Sequence, residues 1–143
     1  MGLRETVASS KGVRVTKILI VEDNTELGDL LAERLKRRGH VVLLAAEPAE
    51  AIDGAKASRP DVILLESQLH GDADWSTARA LKFDELTRDI PVIALMSTNS
   101  EEERALARQN GCDELHAKPV DFARLLQQID AAARAGDDDA ETS

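Results

Sequence analysis

The stretch DVILLESQLHGDADW, Asp61 to Trp75, decides how the rest of the chain is read. Val62 to Leu65 form an unbroken apolar run, short and rich in β-branched and leucine side chains, which is the pattern of a strand covered on both faces. The run ends on Glu66 and passes into a loop of small and polar residues. A carboxylate at the mouth of an apolar strand must be solvated, paired or used, because burying it unpaired is costly.

The same grammar recurs on both sides. Upstream, KILIVED (Lys17 to Asp23) is a second apolar run closed by acids. After Asn24 and Thr25, the residues Leu27, Leu30, Leu31 and Leu35 recur at helical spacing, and Gly39 stops the pattern. Val41 to Ala45 then reads as a strand and Ala49 to Ser58 as a helix with Pro48 near its start, before Arg59-Pro60 breaks the chain. Downstream, Trp75 to Phe83 predicts a helix, Pro91 to Met96 a strand, SEEERALARQ a helix and Asp113 to His116 a short strand. Phe122, Leu125, Leu126 and Ile129 line one face of a last helix.

Alternating strands and helices of this kind make an α/β fold, a doubly wound five-stranded parallel sheet with helices on both faces. Chemistry in open parallel sheets gathers at the carboxyl ends of the strands. Glu22, Asp23, Glu66 and Lys118 are therefore expected to converge on one rim. Carboxylates that close raise one another's pKa unless a cation compensates. A hard divalent ion such as Mg²⁺ is the natural compensator, and Lys118 is its competitor.

Composition bounds the rest. At 143 residues, 43% apolar and 31% charged, the chain has the size and balance of one globular domain. Its organisation reads as a flexible leader over 1–16, a domain over 17–135 and an acidic disordered tail over 136–143. No apolar run approaches membrane-spanning length and no secretory leader is evident, so a cytoplasmic location is expected, with no membrane partner. The lone Cys112 permits no internal disulfide and is expected in the core. A net charge of −9 argues against direct nucleic-acid binding. No G-x-G-x-x-G or Walker motif supports nucleotide or flavin binding. His70, Asp72 and Asp74 read as a polar surface loop, and Trp75 as packing on the sheet.

The segments KILIVEDN, PDVILLE, DIPVIAL and GCDELHAKPVD together resemble the receiver domain of bacterial two-component response regulators, especially the single-domain kind. The resemblance runs from about Lys17 to Ala133, and the intervals of 30 residues from Glu66 to Met96 and 22 from Met96 to Lys118 match the family layout. It implies a flavodoxin-like sheet of order 2-1-3-4-5. It also implies that Glu66 stands at the phosphoacceptor position, where the family has an aspartate charged by a histidine kinase. Glu22, Asp23, Glu66 and the main-chain carbonyl of Gln68 would then hold Mg²⁺. Lys118 would contact the phosphoryl oxygens, and its bond to Pro119 would be cis. Partners implied are a histidine kinase, a phosphotransfer or effector protein, or a second copy. The implied docking face is the fourth helix, fifth strand and fifth helix, drawing on Glu101 to Asn110, Leu115, His116 and the exposed side of Asp121 to Arg134.

Four departures from the family surround this centre. Glu66 is one methylene longer than aspartate, which matters where transfer depends on positioning. Met96 replaces the hydroxyl switch residue and cannot donate a hydrogen bond. Ser97 is adjacent, but side chains alternate along a strand, so with Met96 facing the acid its hydroxyl is expected to point away. Leu115 replaces the aromatic switch, and His70 and Asp74 replace the usual loop residues. The expected function is that of a pseudo-receiver: a non-enzymatic, phosphorylation-independent interaction module in which Lys118 holds Glu66 as a fixed anion and Mg²⁺ binding is weak or absent. The alternative is a working receiver in which Glu66 is an engineered or tolerated replacement of the acceptor aspartate.

Overall fold

The computed structural model describes residues 14–72 and 75–142, and for 137–142 the backbone alone. Five strands, β1 (Lys17–Val21), β2 (Val41–Ala45), β3 (Val62–Glu66), β4 (Val92–Met96) and β5 (Glu114–Ala117), form one sheet. Its order is β2-β1-β3-β4-β5 with every pair parallel. The helices are α1 (Thr25–Arg37), α2 (Pro48–Ser58), α3 (Ser76–Phe83), α4 (Glu101–Gln109) and α5 (Phe122–Thr142). The architecture and strand order are those expected from the sequence, with element ends displaced by a residue or two.

Local chemistry sets those ends. Asn24 Oδ1 accepts the Leu27 N–H at 3.2 Å and Ser100 Oγ accepts the Glu103 N–H at 3.1 Å, satisfying donors that α1 and α4 would otherwise leave unpaired. Pro48 is the first residue of α2, where its missing N–H costs nothing. Gly39 follows α1 with φ +92°, a conformation open to glycine and strained for other residues.

Two boundaries differ from expectation. Thr16, assigned to the leader, is buried: its N–H donates to His40 Nδ1 at 3.1 Å and its carbonyl accepts the Val41 N–H at 3.1 Å. The rest of the leader, 1–13, lies outside the described residues. At the other end, the backbone of 136–142 continues α5 where a disordered tail was expected, because one glycine, Gly136, weakens a helix without ending it.

Alternation along the strands divides the core into two layers. Leu19, Val21, Ile63, Leu65, Val92, Ala94, Met96 and Leu115 pack on one face with α2, α3 and α4 through Ala51, Ala55, Ala78, Leu81 and Ala107. Ile18, Ile20, Val62, Leu64, Ile93 and Leu95 pack on the other with α1 and α5 through Leu31, Leu35, Leu125 and Ile129. Trp75 is buried in the first layer, as is Cys112, whose thiol burial pushes up to about 12. Replacement Leu64→Ala, at a fully buried site, is expected to cost ~2–5 kcal/mol by chemical denaturation, whereas Leu30→Ala, on the exposed side of α1, stays within about 0.5 kcal/mol.

Candidate functional site

The rim is the continuation of one row of each strand beyond its apolar part. On the α1/α5 face, β1 presents Ile18 and Ile20, β3 presents Val62 and Leu64, and β4 presents Ile93 and Leu95. One more step of two brings Glu22, Glu66 and Ser97 to the carboxyl end on the same side. The registers Val21↔Leu65 and Glu66↔Leu95 hold these rows level. Lys118 lies two residues beyond His116 on β5 and completes the group.

Lys118 Nζ makes a salt bridge to Glu66 Oε1 and lies 3.5 Å from Glu22 Oε1. Both carboxylates are almost wholly buried, and the ammonium is partly exposed. The other oxygen of Glu66, Oε2, accepts the Gln68 N–H at 3.0 Å and the Ser97 hydroxyl at 3.3 Å. Ser97 is itself held by its N–H, which donates to Ser67 Oγ at 3.1 Å. Glu22 Oε2 accepts the Asn24 N–H at 3.1 Å. Burial is the main cause that raises the Glu22 pKa; the nearby Glu66 adds to the rise, while the Asn24 N–H and Lys118 oppose it.

Ser97 corrects the expectation that its hydroxyl points away. The alternation rule holds, but its phase is the reverse of the one assumed. Met96 belongs to the opposite layer with Val92 and Ala94, which leaves Ser97 on the side of Leu95 and Glu66. The interval of 30 residues fixes where the strand ends and does not fix which face a side chain takes.

Asp23, the next residue after Glu22, accepts the His70 N–H on its Oδ2 at 2.8 Å and so anchors the loop after β3. Asp72 caps the start of α3, its Oδ1 accepting the Ser76 hydroxyl at 2.8 Å and the Thr77 N–H at 2.9 Å. Asp74, the second acid of that loop, lies outside the described residues. Leu115 and His116, expected on an exposed docking face, are buried. Each points into one of the two layers, Leu115 beside Met96 and His116 toward α5. The Lys118–Pro119 peptide bond is cis, as the resemblance implies.

Among the described residues, no three His, Cys, Asp or Glu side chains stand together in a metal-holding group. Lys118 already sits against Glu22 and Glu66, and Asp23 is engaged by His70. A divalent cation held by Glu22 and Glu66 would have to compete with the Lys118 ammonium that lies against both. The serine and glutamine contacts to Glu66 were missed in the sequence; correct phasing of the β4 row would have found Ser97.

The comparisons with known proteins agree with the fold. The family model of the response regulator receiver domain matches residues 18–130. The phosphate regulon transcriptional regulatory protein PhoB of Pseudomonas aeruginosa is 34% identical over 117 residues, covering 82% of this chain and 51% of that protein. The polar-differentiation response regulator DivK of Brucella anthropi is 31% identical over 112 residues, covering 78% of this chain and 91% of that protein. Among solved structures, the receiver domain of the sensor histidine kinase PA1611 of Pseudomonas aeruginosa superimposes with a TM-score of 0.77. It is 28% identical, covers 84% of this chain and 98% of that one, and has a magnesium ion coordinated in its active site cleft. The fold and the rim thus define a signalling module of the two-component system, and the chain belongs to the response regulator receiver domain family. It spans about half the length of its PhoB relatives and most of the length of DivK. No helix among the described residues is long and apolar enough to cross a membrane.

The raised pKa of Glu22 gives a pH-dependent prediction. A carboxyl whose folded value lies above its unfolded value of 4.5 is best accommodated when protonated, so its contribution is full below pH 4.5 and declines as pH rises through the folded value. Glu22→Gln is therefore expected to raise the thermal midpoint at pH 7, with the gain shrinking as pH falls toward 4.5, measured by calorimetry across that range.

Proposed function

We propose that this receiver domain is a pseudo-receiver, a protein-interaction module held in one conformation by Glu66 rather than switched by phosphorylation. The observation that carries it is the saturation of the Glu66 carboxylate. One oxygen is paired with Lys118, and the other accepts the Gln68 N–H and the Ser97 hydroxyl. An ammonium, a hydroxyl and a main-chain N–H are the donors that would steady an added phosphoryl group, and here they are engaged by the acceptor side chain itself. The imitation is partial, since a carboxylate carries −1 while a phosphoryl group adds ~−1.5 to −2 and three oxygens. Met96 and Leu115, buried in the opposite layer, offer neither a hydroxyl nor a ring to relay a change.

Signalling then runs through a partner that reads a fixed surface. Exposed Leu106 on α4, the outward side chains of Glu101 to Arg108 and the exposed side of α5 up to Arg134 form that surface, with Leu115 and His116 behind it. A histidine kinase, an effector protein or a second copy would dock there, in the cytoplasm and without nucleic acid.

A working receiver is the second reading, favoured by one observation: Ser97 supplies a hydroxyl beside Glu66 after all. The two readings part on covalent chemistry. Incubation with Mg²⁺ and acetyl phosphate is expected to leave the intact mass of the protein unchanged. A stoichiometric phosphoryl adduct that disappears in Glu66→Ala would establish the second reading instead.

Magnesium gives an independent check. Lys118 competes with any cation for Glu22 and Glu66, so Lys118→Ala is expected to bind Mg²⁺ about tenfold more tightly than the unaltered chain, ~1.4 kcal/mol, by titration calorimetry. Equal or weaker binding in the variant contradicts the competition.

A further inference from the structure

We propose that His116 and Gln128 are positioning residues for the Lys118 ammonium. The inference rests on the reading that Lys118 is the fixed partner of Glu66.

His116 lies on the β5 row that leads to Lys118, and it is fully buried on the side where its neighbours are the apolar residues of the α1/α5 layer. Packing alone would be served by valine or leucine. An imidazole in that place is costly unless both nitrogens are partnered. Both are. The Asp121 N–H donates to Nε2 at 3.1 Å, and Nδ1 lies 2.8 Å from Gln128 Oε1. Because a main-chain N–H can only donate, Nε2 carries the lone pair, and the proton resides on Nδ1, which donates to Gln128. The Gln128 amide is then oriented with its Nε2 donating to the Leu115 carbonyl at 3.0 Å. The chain of donors runs from Asp121 through His116 and Gln128 back to β5.

The segment enclosed by this ring is Ala117 to Val120, which carries Lys118. On the β4 side it is tied by the Lys118 N–H to the Met96 carbonyl at 2.8 Å. Pro119 has no N–H to offer. The next anchor along the chain is the bond from the Asp121 N–H to His116, which also fixes the start of α5, where Asp121 Oδ1 accepts the Arg124 N–H at 3.2 Å. Lys118 is thus held between a sheet bond and a histidine bond, and its long side chain reaches two buried carboxylates from a base fixed at both ends. A side chain with so many rotatable bonds loses much freedom in one geometry, and a rigid base limits what more must be lost.

The test reads the ammonium directly. Nitrogen-15 relaxation of Lys118 Nζ is expected to give an order parameter well above that of the exposed Lys36 in the unaltered protein, falling toward the Lys36 value in His116→Leu. Gln128→Met, which removes one link and keeps the bulk, is expected to give an intermediate fall and covers the case in which His116→Leu does not fold. Leu81→Ala, a fully buried change in the opposite layer, destabilises the domain without moving the Lys118 value. An ammonium that stays ordered in either folded variant of His116 or Gln128, or one loosened equally by Leu81→Ala, overturns the assignment. Free motion of Lys118 already in the unaltered chain would instead overturn its pairing with Glu66, an outcome visible before any substitution is made.

Discussion

One ammonium, that of Lys118, lies against two carboxylates that the sheet has taken out of water, and the character of this molecule follows from that arrangement. Glu22 and Glu66 stand at the ends of adjacent strands whose preceding residues are wholly apolar, so neither can relax into solvent without pulling its strand. Two like charges so placed repel, and each alone would be costly to bury. The cation that compensates belongs to the chain. Its attraction is strengthened by the low-dielectric surroundings that make the carboxylates costly, and it is not diluted away as a dissolved ion would be.

The proposed pseudo-receiver reading turns on how Glu66 uses its length. The carboxylate of Glu66 extends one methylene beyond where an aspartate would stop, and that reach lets one group meet Lys118, the Ser97 hydroxyl and the Gln68 N–H together. Each contact lowers the energy of the arrangement already present and leaves less to be gained by any further change. On the opposite face, Met96 and Leu115 fill space among apolar neighbours and have no second polar position to adopt. Bistability needs two arrangements of similar energy, and the proposed pseudo-receiver reading holds that only one is populated here.

Much of the fold was legible because its signals are local. The apolar runs at Lys17–Val21, Val62–Leu65 and Val92–Met96, the caps at Asn24 and Ser100, and the breaks at Gly39 and Pro60 all act within a few residues. Their alternation leaves little choice but a doubly wound parallel sheet. The convergence of Glu22, Glu66 and Lys118 was legible too, since strand ends in such a sheet share an edge. The errors came where a side chain's direction depends on a partner far along the chain. Ser97 was assigned the wrong face because its phase is set by the pairing of β4 with β3. Leu115 and His116 were assigned to the docking face, yet both are buried because helices cover this strand on both sides.

Sequence by itself determined the class of fold, the family and the residues available at the carboxyl edge, because periodicity, capping and spacing are properties of short stretches read in order. Tertiary structure alone decided which of those residues touch. Burial of Glu22, the turn of Ser97 toward Glu66, and the closure of His116 on Asp121 and Gln128 all depend on registers between strands and on a helix packed across them. A register is a relation between segments distant in the chain, and it settles only when both faces of the sheet are covered at once.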